Sequence, residues 1–233
     1  MLCPPTCVAC EASVREADRA LCPTCRSELS LILGTPCRRC GAPTVVDQPA
    51  YDQPAKPCVR CEGKPLRFDE VVAAGVYDGL LRELTLRAKS LANESVAVAL
   101  GELVADLGAE RLRRLRPDVV ASVPMHWSRR LVRQTNGPEL MAAAVADRLQ
   151  TDCSPGLLVR KKRTVRQSKL ARSQRADNLR RAFRLGRGYR LRGATVLLVD
   201  DILTTGATCS EAAAELKRAG AARVIAVVAA RAL

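Results

Sequence analysis

The chain has 233 residues, of which 48% are apolar and only 3% aromatic, so it can bury a sizeable core, but one built of Ala, Val and Leu rather than of rings. Thirty-eight basic side chains against 24 acidic ones give a formal charge of +14, which points to polyanionic partners such as phosphates or nucleic acid. No apolar run approaches the ~20 residues that span a bilayer, and Met1-Leu2-Cys3-Pro4-Pro5 lacks the basic and apolar regions of an export signal; a cytoplasmic protein with no membrane insertion is expected.

Eight of the eleven cysteines form Cys-x-x-Cys pairs before position 62: Cys7/Cys10, Cys22/Cys25, Cys37/Cys40 and Cys58/Cys61. Each pair presents two sulfurs on a tight turn, and two turns complete a tetrahedral shell around zinc. Four pairs therefore predict two structural Zn2+ ions. Either the first pair joins the second and the third joins the fourth, or the pairs cross, first with third and second with fourth. Free or redox-active thiols are the competing reading, and four pairs in so short a stretch with no strand-helix context disfavour it. Cys3 is a spare thiol able to replace Cys7, while Cys153 and Cys209 read as ordinary small residues. The stretch has too few periodic apolar residues to fold without metal. A boundary within 63–68 then divides the chain into a metal-binding module, 1–65, and a second domain, 66–233, each with its own core.

Beyond the boundary, strands alternate with helices. Strands are expected at 70–77, 118–123, 157–160, 195–199 and 223–229, and helices at 80–89, 96–115, 138–149 and 208–219. In the second helix Leu100, Leu103, Val104 and Leu107 share a face, which is expected to be the buried one. Such alternation implies a mostly parallel, doubly wound sheet of the α/β class. Between the short strand at 157–160 and the apolar strand at 195–199 lies a long polar stretch without a strand pattern, and loops of that length in compact domains are usually functional or disordered. Residues 160–192 hold fourteen basic side chains and one acid, Asp177. Nearly all the excess charge lies there, because the other segments almost balance. A solvated face is the bland reading of such a run.

The segment Val196-Leu197-Leu198-Val199-Asp200-Asp201-Ile202-Leu203-Thr204-Thr205-Gly206-Ala207-Thr208 carries the strongest chemical signal. A buried strand ends in two carboxylates, and a Thr/Gly turn leads straight into a helix. Ligand crevices in open α/β sheets lie at those carboxyl ends. Exposed amides at a helix N-terminus accommodate a phosphate, and threonine hydroxyls add donors. The adjacent carboxylates can accept hydrogen bonds from vicinal ribose hydroxyls, which explains acids beside an anion site.

These residues resemble the phosphoribosyl pyrophosphate (PRPP) signature of type I phosphoribosyltransferases. The resemblance implies that Asp200 and Asp201 bind the ribose hydroxyls, that Thr204, Thr205, Gly206, Ala207 and Thr208 wrap the 5′-phosphate, and that PRPP arrives with Mg2+. Together with the cysteine module, the domain resembles the ComF family of bacterial competence proteins, which joins a double zinc ribbon to a type I phosphoribosyltransferase-like parallel sheet. Tyr77-Asp78-Gly79 followed by Lys89 resembles the family's first strand and helix with its lysine, so Lys89 joins the PRPP-binding set. Val123-Pro124-Met125-His126 with Arg129, Arg130 and Arg133 resembles its Val-Pro stretch and basic turn. Gln167, Leu170, Arg175, Asn178, Ala182 and Phe183 match a further spaced pattern. The chain departs from the family at Arg133-Gln134-Thr135-Asn136-Gly137, where Arg-Gly-Phe-Asn-Gln is usual. His126, the only histidine, reads as a hydrogen-bonding surface residue.

Two functions follow from the resemblance. In the first, the protein acts on single-stranded DNA during natural competence, with Arg172, Arg180 and Arg184 as nucleic-acid contacts and competence helicases or recombination mediators as partners. In the second, it is an active phosphoribosyltransferase on an unidentified base or amine, with Lys89, Arg160, Lys161 and Lys162 assisting the departure of pyrophosphate. A glutamine-dependent amidotransferase is set aside, because its nucleophilic Cys directly follows Met1, and Leu2 intervenes here.

Overall fold

The computed structural model describes residues 6–14, 20–29, 31–32, 35–45, 53–124, 136–161 and 182–233. The cysteine-rich part contains the short helix α1 (Pro23–Ser27), capped by the Cys22 sulfur, which accepts from the Cys25 amide. The second part begins with β1 (Glu70–Val76), α2 (Gly79–Arg87), α3 (Glu94–Arg114) and β2 (Val119–Ser122). It continues with α4 (Gly137–Leu149), β3 (Leu158–Arg160), β4 (Phe183–Leu185), β5 (Thr195–Leu203), α5 (Ala207–Arg218) and β6 (Arg223–Arg231).

Four strands form one sheet in the order β1-β6-β5-β2, with every neighbouring pair parallel. The two central strands, β5 and β6, are the apolar runs, as burial on both faces requires. One face of the sheet, with Leu197, Val199, Ile225 and Val227, packs against α2, α3 and α4. The other, with Val196, Leu198, Val224 and Ala226, packs against α5 and the β3–β4 hairpin. The hairpin is antiparallel and pairs Leu158 with Leu185. The sequence pattern had marked β3 but not β4, whose Phe183-Arg184-Leu185 lies inside the basic run of 160–192.

Two expectations need correction. Leu107 was placed on the buried face of α3, yet it is 45% exposed. Glycine sets the rotation of that helix. A Cβ on Gly108 would lie 2.7 Å from Val72 Cγ1, and one on Gly101 would lie 2.6 Å from the Met141 carbonyl oxygen, so α3 presents its bare backbone to β1 and α4. The second correction concerns separate cores. Cys7, Val14, Leu21, Cys25 and Leu29 share one buried cluster with Leu81, Leu84, Leu103 and the sheet. The N-terminal module also hydrogen-bonds to the free edge of β1, through Ile32 N to Ala74 O at 3.4 Å and Val71 N to Arg38 O at 2.8 Å. Covering that edge removes a row of unpaired backbone groups.

At the same seam lies a buried ion cluster. Glu70 opens β1, and its carboxylate accepts from Arg38 at 2.8 and 3.2 Å, from Arg111 at 2.8 Å and from Arg223 at 2.7 Å. Burial pushes the Glu70 carboxyl up, but the hydrogen bonds from Arg38 and Arg111 and their charges outweigh it and hold it below the ordinary range. Removing one partner of a buried ionic set strands the others, at a cost of about 3–5 kcal/mol. Glu70→Gln is therefore expected to lose about 3 kcal/mol in urea unfolding of the zinc-loaded protein. Because the folded pKa is depressed, the contribution is present above the ordinary glutamate value near 4.5 and fades as pH falls through the lower folded value. The stability gap between wild type and Glu70→Gln should accordingly shrink below about pH 4; a gap independent of pH would mean that the charge of Glu70 contributes nothing.

Candidate functional site

The eight paired cysteines converge as two clusters, Cys7, Cys10, Cys22 and Cys25 in one and Cys37, Cys40, Cys58 and Cys61 in the other, with all four sulfurs of each within 4.8 Å of one another. This selects consecutive over crossed pairing. Sulfur separations of 3.8 Å for Cys10 and Cys22, 3.8 Å for Cys37 and Cys61, and 3.7 Å for Cys40 and Cys58 match the ~3.8 Å edge of a tetrahedron with Zn–S bonds of ~2.3 Å. The donor set thus fits two closed four-sulfur zinc sites.

Backbone donors prepare these thiols for a cation. In the first cluster the Cys22 amide donates to Cys7 Sγ at 3.3 Å, and in the second the Cys58 amide donates to Cys61 Sγ at 3.3 Å. Burial pushes the Cys7 thiol up, but backbone hydrogen bonds, that of Cys22 foremost, bring it down to about 6. The Cys40 thiol, by hydrogen-bonding to Cys37, draws Cys37 down to about 4 against the opposing effect of burial. Their neighbours move the other way: Cys25 is raised by burial, and Cys40 by its bond to Cys37. Cys7 and Cys37 are thus the thiols readiest to become thiolates, and metal binding would release protons from the thiols that ligate it.

The second centre lies at the carboxyl end of β5. That strand runs through both carboxylates to Leu203, four residues beyond the expected end, so Asp200 and Asp201 are held by the sheet and not by the loop. They make different contacts. Asp200 Oδ2 lies 3.8 Å from Cys209 Sγ on α5, whereas Asp201 Oδ2 lies 3.4 Å from Lys89 Nζ just beyond α2. Each carboxylate also accepts from the following amide, Asp201 N at 3.0 Å and Ile202 N at 2.8 Å. Burial, and then the charge of Asp201, raises the Asp200 carboxyl well above its ordinary range. Such a group gains from any donor or cation delivered to it.

From Leu203 the chain turns through Thr204, which is exposed, Thr205 and Gly206 into α5. Gly206 adopts φ 79°, and a Cβ there would press on Leu66 Cδ2 at 3.0 Å and Phe68 at 3.4 Å. Only glycine meets both conditions. As N-cap it has no side chain to bond the first amides of α5, and those of Ala207 and Thr208 open the helix beside the threonine hydroxyls. Thr205 Oγ1 lies 3.4 Å from the Ala207 amide. Lys89 thus meets Asp201, which with Asp200 stands at the end of the strand that leads into the 204–208 turn.

Other expected residues stand apart. Arg160 ends β3 with its guanidinium over the Phe183 ring, 5.4 Å from the centroid, and the Lys161 amide bonds Ala182 O at 2.7 Å. Both belong to the hairpin. Arg184 is half-buried on β4, with its side chain 3.4 Å from its neighbour's carbonyl, Leu185 O. Cys3, His126, Arg129, Arg130, Arg133, Lys162, Arg172 and Arg180 lie outside the described residues. The turn after β4 carries Arg187, Tyr189, Arg190 and Arg192, all exposed. Those three arginines were legible only as part of the charge run. Among the described residues no helix is long and apolar enough to cross a membrane.

A parallel α/β domain with a carboxylate-threonine turn at a strand end, sealed along one edge by two four-cysteine clusters, defines a zinc-ribbon phosphoribosyltransferase-like protein. The comparisons agree: residues 1–65 match the double zinc ribbon domain and residues 135–233 the phosphoribosyl transferase domain. The chain is 32% identical over 229 residues to the DNA utilization protein YhgH of Salmonella typhimurium, covering 95% of this chain and 94% of that one. It is 30% identical over 214 residues to its namesake in Escherichia coli K12, covering 88% and 93%, and 26% identical over 220 residues to Competence protein F of Haemophilus influenzae, covering 92% and 91%. The chain belongs to the ComF family.

Protein purified without chelator is expected to carry two zinc ions per chain by elemental analysis, and Cys37→Ser about one, since a three-sulfur site binds far less tightly. Well-folded wild-type protein with no metal would refute the assignment.

Proposed function

We propose that this ComF-type protein holds a 5′-phosphoribosyl ligand, PRPP with Mg2+, in the 200–208 turn and handles single-stranded DNA in the cytoplasm during natural competence. The observation that carries the ligand half is the half-buried pair Asp200 and Asp201 beside the N-terminus of α5, with Lys89 Nζ 3.4 Å from Asp201. Ribose hydroxyls are the donors that Asp200 gains from, and the amides of Ala207 and Thr208 with the Thr204, Thr205 and Thr208 hydroxyls suit the 5′-phosphate. Lys89 is placed to balance carboxylate charge and to meet an incoming anion. Mg2+, travelling with the ligand, supplies neutralisation of the pyrophosphate.

The DNA half rests on relatives named for DNA utilization and competence and on the basic excess in 160–192. In its described part, Arg187, Arg190 and Arg192 flank Tyr189 in sequence, and Tyr189 is 37% exposed. Aromatics are otherwise scarce, so phosphate contacts must carry most of the affinity. Competence helicases or recombination mediators remain the proposed protein partners. A second reading, phosphoribosyl transfer to a base or amine, is favoured by the completeness of the turn, and release of pyrophosphate from PRPP on adding candidate acceptors would establish it.

Asp200→Asn with Asp201→Asn should weaken PRPP–Mg2+ binding at least about tenfold, or about 1.4 kcal/mol, in calorimetry; unchanged affinity would remove the turn from the site. Single-stranded DNA affinity should fall steeply with salt, with a slope of about −0.7 per phosphate neutralised. Arg187→Glu, Arg190→Glu and Arg192→Glu together should flatten that slope in fluorescence anisotropy, whereas a wild-type titration insensitive to salt would count against DNA handling.

A further inference from the structure

Three consecutive residues of one metal knuckle reach into the second domain by three separate routes. Arg38 binds the Glu70 carboxylate. Arg39 donates to the carbonyls of Leu66 and Phe68, and its guanidinium lies over the Phe68 ring, 5.7 Å from the centroid. Those two side chains form the surface on which Gly206 rests. The third route leaves from Cys40. Its carbonyl oxygen accepts a 2.8 Å hydrogen bond from Arg231 Nε, and Nη1 of the same guanidinium donates to Leu203 O at 2.8 Å and Thr204 O at 2.6 Å, and to Ala232 O.

Arg231 ends β6 and is only 6% exposed. Among the described residues its partners are all carbonyl oxygens and it meets no carboxylate. A guanidinium buried without a counter-ion is expensive unless its donors are satisfied. Here Nε is satisfied by the backbone of a cysteine in the second cluster, and Nη1 by the backbone of Ala232 and of the two residues that launch the 204–208 turn. The planar fork has fixed geometry, so a shift of Cys40 is transmitted to Leu203 and Thr204. By contrast, the first cluster packs on α2 and α3, with Arg87 donating to Ala9 O at 3.2 Å, and leaves the turn untouched among the described contacts.

We propose that Arg231 is a positioning residue that couples the second zinc cluster to the phosphoribosyl turn, so that metal in the Cys37, Cys40, Cys58 and Cys61 site sets the affinity of the turn for its ligand. The inference rests on the reading of the 200–208 turn as a phosphoribosyl site for its ligand arm only. Coupling of this kind is reciprocal: whatever factor zinc adds to ligand affinity, the ligand adds to zinc affinity at that cluster and not at the other.

The test uses full-length, zinc-loaded protein and three readouts. In hydrogen exchange without ligand, amides 204–208 of Cys58→Ser should exchange at least about tenfold faster than those of Cys22→Ser, while central β6 amides stay protected in both, showing that the sheet is folded. In competition with a chromophoric chelator, saturating PRPP–Mg2+ should tighten one of the two zinc ions in wild type. Arg231→Lys keeps the charge but loses the fork; it should retain two zinc ions, bind PRPP about tenfold more weakly and abolish the ligand's effect on zinc retention. Equal exchange of 204–208 in the two cysteine variants would overturn the coupling, as would equal tightening of both ions or an Arg231→Lys protein that behaves as wild type. If wild type fails to bind PRPP, the ligand reading falls by itself, and the exchange comparison still decides the coupling.

Discussion

The buried carboxylate of Glu70 is the point at which the parts of this protein are fixed to one another. It stands at the first residue of β1 and is shared by guanidinium groups from the zinc module, from α3 and from the start of β6. A buried ionic set is a poor source of net stability, because desolvation consumes most of the Coulombic gain. Its value lies in specificity. Four segments remote in sequence must arrive together, with donors and lone pairs matched, or a charge is left unpaired. Arg223 keeps a side chain 39% exposed and so vents part of the excess positive charge to solvent, while Arg38 and Glu70 are nearly sealed.

That junction explains how a cysteine-rich module with so little apolar content can be stable. Among the described residues its second cluster has a core of four cysteines and Ala42, touched by Leu66. Metal–sulfur bonds there do what side-chain burial does elsewhere. The few apolar residues of the first cluster are spent on the larger domain, where Leu21, Leu29 and Val14 extend the layer made by α2 and α3. The module is therefore part of the wall of the second domain. In return it covers the free edge of β1, which would otherwise offer a template for association.

Much of this was legible in the sequence, and the remainder was hidden for identifiable reasons. Alternating apolar runs placed the strands and helices of the sheet to within a few residues, and Cys-x-x-Cys spacing named all eight sulfurs, because both signals are local. Pairing of the clusters was not local, and only the folded chain decided it. Leu107 was misplaced because periodicity counts apolar residues and overlooks glycine, while contact with β1 is made through Gly108. The carboxyl end of β5 was drawn too early, since two aspartates and a run of threonines look like a turn even where β6 continues the ladder from Asp200 to Leu203. Arg38 and Arg39 passed as spacers within a Cys-x-x-Cys unit, and Arg231 as the fringe of a terminal strand. Nothing in their neighbours signals a partner tens of residues away.

The electrostatics of the strand end and the 204–208 turn also favour the proposed reading of a site completed by its ligand. Asp200 is raised by burial and by the second carboxylate next to it, and the Cys209 thiol at 3.8 Å is a weak donor to it. Asp201 has Lys89, but that pair is a quarter exposed and 3.4 Å apart, too open to neutralise both acids. An isolated protein optimised for stability would replace Asp200 with an apolar residue, since it faces a core that holds Leu198, Cys209 and Ala213. Retaining a carboxylate there makes physical sense if hydroxyl donors arrive with the ligand, while the positive end of α5, a few residues further on, suits an anion. Acid and anion site are then complementary halves of one recognition surface, and a ligand bearing vicinal hydroxyls next to a phosphate satisfies both at once.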